Sequence, residues 1–216
     1  MKRVCLKGIT RVLLLATLMV FWQAAAGSPT ILVLGDSLSA GYGVATEQGW
    51  VSLLQHRLNA HGREFRVINA SISGETTNGG LARLPQALRD YRPSLVIIEL
   101  GANDGLRGID PDQIRQDLTT IVKMSKQHGA EVLLCGVQVP VNYGAAFRKR
   151  YFAVYSSVSR QTDVPLVPSL LNDVAQYPAL MQQDGLHPNA HGQPKILHNV
   201  WPKLSPLIAR LREVQN

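Results

Sequence analysis

The chain has 216 residues, with 22 Lys and Arg against 15 Asp and Glu, and two cysteines. That length is enough for one domain with a proper core, while two cysteines exclude a disulfide-stapled scaffold. A net charge of +7 with no dense basic run interleaved with aromatics makes no case for a nucleic-acid partner. At the N-terminus, Lys2, Arg3, Lys7 and Arg11 precede a stretch, 12–22, that is apolar apart from Thr17, and Ala24-Ala25-Ala26 follow. This is the pattern of a secretory signal peptide cleaved before Gly27; the apolar run is short for a membrane span, which needs about 20 residues. The expected organisation is a signal peptide over 1–26, a single domain over 27–216, and a periplasmic or secreted mature protein. Cleavage removes four basic residues and no acid, taking the net charge to +3, and leaves Cys135 without a partner thiol. Cys135 lies in an apolar run and reads as an inert core thiol.

Short runs rich in Val, Ile and Leu occur at 30–34, 65–69, 95–100, 132–137 and 165–167, bounded by Gly, Pro, Asn or Asp. They have the composition of parallel strands buried on both faces. Between them Trp50, Leu53, Leu54, Arg57 and Leu58 follow helical spacing. So do Ile114, Leu118, Ile121 and Val122 after a start at Asp110-Pro111. Residues 147–162 and 194–212 read as further helices, the last expected to be kinked or interrupted at Pro202 and Pro206. Strand and helix in alternation predict a three-layer α/β/α sandwich around a five-stranded parallel sheet.

Ligands in such folds bind beyond the carboxyl ends of the strands, so the residues at those junctions carry the functional information. Asp36 and Ser37 follow the first run, Asn69 to Thr77 the second, and Gly101-Ala102-Asn103-Asp104 the third. Asp184-Gly185-Leu186-His187 follows the fifth after an intervening segment. These are the components of acyl transfer at a serine. Ser37 is the candidate nucleophile and needs a base; a histidine suits because an imidazole titrates near working pH, and His187 is the best of the six, with an acid close by. Asp184, three residues earlier, can orient it. The amides of Ser37 and Gly74 and the side chain of Asn103 are candidate oxyanion donors. Asp36 is expected to bond backbone in its own turn, and Asp104 to brace its loop. His187 and His191 are four apart near Asp184, but Pro188 and Gly192 break the helix a metal site would need, so no metal is expected.

These blocks, in this order, resemble the SGNH (GDSL) hydrolases over nearly all of the mature chain. Gly35-Asp36-Ser37-Leu38-Ser39 matches the first block with Ser37 as nucleophile. Gly74, Gly101-Ala102-Asn103-Asp104 and Asp184-Gly185-Leu186-His187 match the other three. Asn69 to Gly74, Gly80-Leu81-Ala82-Arg83-Leu84-Pro85 and Glu99 to Gly108 narrow the likeness to the branch of periplasmic thioesterase, lysophospholipase and arylesterase enzymes. The resemblance implies a flavodoxin-like strand order 2-1-3-4-5, hydrolysis of carboxylic esters, acyl thioesters and lysophospholipids, and no cofactor. It also implies a mobile substrate loop over 75–80, with Glu75, Thr76 and Thr77, and a second substrate-facing segment with Asn142, Tyr143 and Phe147. The departure from relatives at Ala145-Ala146 bears on acyl-chain preference. The partners implied are small acyl substrates and a transiently touched membrane surface, with the chain a monomer. Two rivals stand beside this reading: a carbohydrate O-acetylesterase with the same catalytic parts on this fold, and a non-catalytic acyl-chain or lipid-binding protein that keeps the pocket.

Overall fold

The computed structural model describes residues 28–60, 62, 64–138 and 143–213; the expected signal peptide and Asn142 lie outside them. Five strands form one parallel sheet in the order β2-β1-β3-β4-β5: β1 (Thr30–Gly35), β2 (Arg66–Asn69), β3 (Leu95–Glu99), β4 (Glu131–Cys135) and β5 (Leu166–Val167). Every strand coincides with an expected run to within one or two residues. Side chains alternate across a strand, and here both sets are apolar. Ile31, Val33 and Ile97 enter one core; Leu32, Leu34, Val96 and Ile98 enter the other. Helices α2 (Trp50–Ala60) and α7 (Gln193–Glu213) cover the first face, through Trp50, Leu54, Leu58, Ile196, Val200 and Leu204. Helices α3 (Thr77–Tyr91), α5 (Pro111–Gln127) and α6 (Ala145–Thr162) cover the second. The result is the expected α/β/α sandwich.

Two short helices, α1 (Ser37–Ala40) and α4 (Ala102–Leu106), begin immediately beyond β1 and β3. They turn the chain at the carboxyl edge of the sheet, where the candidate residues gather.

Two helices depart from the sequence reading. Helix α3 is absent from it, because Gly79-Gly80 and Pro85 resemble breakers. Thr76 caps its start by accepting from the Gly79 N–H at 3.2 Å, and Leu84, Ala87 and Leu88 supply a buried stripe. Helix α7 runs unbroken past Pro202 and Pro206. Both prolines are exposed, so water can serve the carbonyls deprived of a donor, while Val200, Leu204, Leu207 and Ile208 keep the opposite face buried.

Ile97 is fully buried at the middle of the central strand. Ile97→Ala is expected to lower stability by about 2–5 kcal/mol, read as a fall in the urea midpoint with an unchanged denaturant slope.

Candidate active site

Ser37 is the first residue of α1, and Asp36 is its cap, with Oδ1 accepting the Leu38 N–H at 3.0 Å. The serine hydroxyl lies 2.9 Å from Nε2 of His187, 150 positions away in sequence. His187 Nδ1 lies 2.6 Å from Asp184 Oδ2. The other Asp184 oxygen accepts the N–H groups of Leu186 at 2.9 Å and His187 at 3.0 Å. The His187 backbone N–H, then its imidazole, hold the Asp184 carboxyl down to a pKa of about 2. An ionised carboxylate can only accept, so Nδ1 carries the proton. That leaves the lone pair of Nε2 for the serine hydroxyl. Asp184 and His187 share a tight hairpin closed by Gln182 N–H on His187 O at 2.8 Å and by a bridge between Met181 and Pro188. The Tyr42 ring lies against the imidazole, with centroids 4.7 Å apart.

Gly74 and Asn103 complete the cluster. Gly74 has φ +82°, which disfavours any residue with a Cβ, and Arg107 donates to its carbonyl at 3.1 Å. Among the described residues the N–H groups of Ser37 and Gly74 have no hydrogen-bond partner. Asn103 Nδ2 donates to Glu75 O at 2.9 Å and to Asp36 Oδ2 at 3.2 Å, which occupies both of its hydrogens.

A cavity of about 590 Å³ opens beside this cluster, touched by Ser37, Asn103 and His187 and walled largely by Leu38, Leu106, Val137, Leu171 and Met181. A second groove of about 630 Å³, between Tyr177, His191, Lys195 and His198, reaches none of these three.

Residues 33–194 match the GDSL-like Lipase/Acylhydrolase family. The chain belongs to that family. It is 50% identical over 194 residues to Esterase TesA of Pseudomonas aeruginosa, covering 90% of this chain and 96% of that one. It is 42% identical over 184 residues to Thioesterase 1/protease 1/lysophospholipase L1 of Escherichia coli K12, covering 85% and 87%. Among solved structures it resembles the psychrotrophic esterase EstA from Pseudoalteromonas sp., in a form inhibited by monoethylphosphonate. The TM-score is 0.80 at 41% identity, over 84% of this chain and 100% of that one.

Within this GDSL-like fold the expected substrate-facing residues scatter. Glu75 is tied to Arg83, Nε to Oε2 at 2.7 Å, and Arg83 also donates to Ala70 O. Thr76 caps α3. Thr77 is fully buried, with its hydroxyl on Asp104 and Asp117 and its N–H on Asp104. A substrate-facing role does not fit that position: residues 77–80 form the first turn of α3 rather than a loop. Asp104, in α4, thereby ties that helix to the start of α3. Tyr143 donates to Leu106 O at 2.7 Å, and Phe147 lies between the rings of Tyr143 and Tyr151; neither lines the cavity. Its actual walls include Gln138, Arg148, Leu171, Gln176 and Met181. The apolar and amide members carry no chemical signature in the sequence, and Arg148 is one of three consecutive basic residues, Arg148-Lys149-Arg150, with nothing to single it out. Among the described residues no group of three or more His, Cys, Asp or Glu could hold a metal ion.

Beneath the cluster lie buried acids. Burial pushes the Asp36 carboxyl up to about 6, against the opposing pull of the Leu38 N–H and His187. Burial, and then the neighbouring Asp36 charge, push Glu99 well above the usual range. Glu99 Oε2 accepts the Ser39 hydroxyl at 2.7 Å, and Oε1 has no partner. Both shifts are upward, so the stability they contribute is complete below the ordinary carboxylate values, 3.8 at Asp36 and 4.5 at Glu99, and is lost as pH rises above them, through about 6 at Asp36. Asp184 has the opposite sign: its contribution is present above about 3.8 and lost as pH falls through about 2. Glu99→Gln is therefore expected to show a smaller fall in Tm than the parent between about pH 5 and 8, measured by calorimetry in both proteins.

Proposed function

We propose that this chain is an exported serine hydrolase that cleaves carboxylic esters, acyl thioesters and lysophospholipids through an acyl-enzyme on Ser37. The continuous hydrogen-bond chain from Asp184 through His187 to Ser37 carries this reading. Family membership supports the reaction class. The names of the relatives (esterase, arylesterase, thioesterase 1/protease 1/lysophospholipase L1) supply the substrate range.

In this mechanism the Ser37 oxygen attacks the acyl carbonyl as His187 Nε2 takes its proton. The imidazolium is stabilised by the ionised Asp184, which also holds the tautomer. Negative charge on the former carbonyl oxygen is met by the Ser37 and Gly74 N–H groups and by Asn103. Asn103 takes part by releasing its longer bond, the one to Asp36. His187 then protonates the departing alcohol or thiol. In the second half His187 deprotonates water, which attacks the acyl-enzyme and frees the carboxylic acid. These residues handle every proton and charge, so the scheme calls for no metal or organic cofactor.

A cavity of about 590 Å³ with a largely apolar wall favours a medium or long acyl chain over the acetyl group of the O-acetylesterase reading. A non-catalytic lipid carrier has no need of a serine hydroxyl held against an oriented imidazole. The N-terminal pattern of basic, apolar and small residues supports export, and among the described residues no helix is long and apolar enough to cross a membrane.

Ser37→Ala is expected to lower turnover of p-nitrophenyl and thioester substrates by at least about 10³-fold with the circular dichroism spectrum retained. A fluorophosphonate probe should label the parent and not the variant. Undiminished turnover in Ser37→Ala would sink the assignment. Asn103→Ala should cost about 10²–10³ in kcat, and octanoyl esters should outpace acetyl esters.

A further inference from the structure

The lining of the catalytic cavity contains no carboxylate, and Arg148 is its one permanent cation among the described residues. Arg148 stands in the first turn of α6, its N–H on Gly144 O at 3.1 Å. Its side chain is half-buried, and Nε is out of contact with water and has no hydrogen-bond partner. The guanidinium carbon sits 5.3 Å from the centroid of the Phe152 ring. No acid pairs with it among the described residues. Nearby arginines are engaged: Arg150 pairs with Asp110 and Asp112, Arg83 with Glu75, and Arg107 with the Gly74 carbonyl.

A guanidinium is always charged and presents several donors in a planar fork suited to phosphate or carboxylate. Leaving a buried donor unsatisfied is costly, and besides the Ser37, Asn103 and His187 side chains the wall offers apolar groups and the amides of Gln138 and Gln176, none of them an anion. A neutral acyl ester entering the cavity offers this fork only neutral oxygens, without the charge assistance of an anion. A substrate bearing an anion satisfies it, and the aromatic face of Phe152 holds the cation in place meanwhile.

We propose that Arg148 is a specificity residue that receives an anionic group, phosphate or carboxylate, carried by the substrate. The site thereby selects amphiphilic esters with one charged end over neutral esters of equal length. The proposal rests on the hydrolase reading above and deepens it. The anion can sit on the leaving group, as the phosphodiester of a lysophospholipid, or at the far end of the acyl chain. The recognition chemistry is the same.

Two matched substrate pairs separate these sources: lysophosphatidylglycerol against the monoacylglycerol of the same chain, and the p-nitrophenyl monoester of adipic acid against p-nitrophenyl hexanoate. In Arg148→Gln the ratio of kcat/KM for the charged over the neutral member is expected to fall about tenfold in at least one pair. The loss should lie in KM, with partial recovery in Arg148→Lys. The pair that responds identifies where the anion sits. Equal losses on both members of each pair, or no change in either ratio, overturn the proposal. Calorimetry on Ser37→Ala, with and without Arg148→Gln, gives a readout independent of turnover. Decyl phosphate should bind more tightly than decanol only when Arg148 is present; equal preference in both proteins overturns the proposal even if hydrolysis itself is never detected. Failure of the parent to turn over any of the four esters, charged or neutral, with the phosphate preference intact, would instead count against the hydrolase reading.

Discussion

The Asp36 carboxylate joins two strand ends that sequence keeps 67 positions apart. One oxygen accepts the Leu38 N–H and so starts the helix turn that displays Ser37; the other accepts the Asn103 side chain from beyond β3. Ser37 and Asn103 are thereby referenced to a single rigid group. Because parallel strands return by crossovers that place all their carboxyl ends on one edge, one short polar bridge there is enough to set the geometry of the whole cluster.

That bridge is held in a costly environment. Asp36, Glu99, Asp104 and Asp117 are all buried within the same region. Taking carboxylates out of water disfavours their charged forms, which is the first cause of the upward shifts at Asp36, Glu99 and Asp104. Hydrogen bonds from Leu38, Asn103, Ser39 and Thr77 offset part of it. Gly35 belongs to the same economy of space, since a Cβ there would come within 2.9 Å of the Glu99 carboxylate and 2.8 Å of Ser39 Cβ. The layer beneath Ser37 is packed as well as polar, so its hydrogen bonds have few alternative arrangements.

Much of this was legible before any coordinates. Strands buried on both faces announce themselves as continuous apolar runs, and all five lie where those runs lie. Ser37, Asp184 and His187 stand out because polar residues at strand ends are conspicuous against such runs, and the structure brings them within hydrogen-bond distance. Helix α3 was hidden because its glycines serve packing: Gly80 lies against Leu100, where a Cβ would come within 2.4 Å of a side-chain methyl. The cavity wall was hidden for a different reason. Leu171 and Met181 read as core, and only the three-dimensional path of residues 168–187 turns them toward Ser37. Thr77 is assigned to a substrate loop by the resemblance alone, whereas in the structure two aspartates claim its hydroxyl.

The hairpin that holds Asp184 and His187 has a mechanical consequence. Acid and imidazole are fastened to each other through backbone N–H groups within six residues, while the hairpin's links to the Ser37 side are few: the imidazole on the serine hydroxyl, the Tyr42 ring against that imidazole, and the Gln182 amide donating to Tyr42 O. A distortion of the segment after β5 therefore carries the two away as a preassembled pair, correctly oriented and out of reach. The failure mode built into this fold is a loss of range rather than a loss of aim.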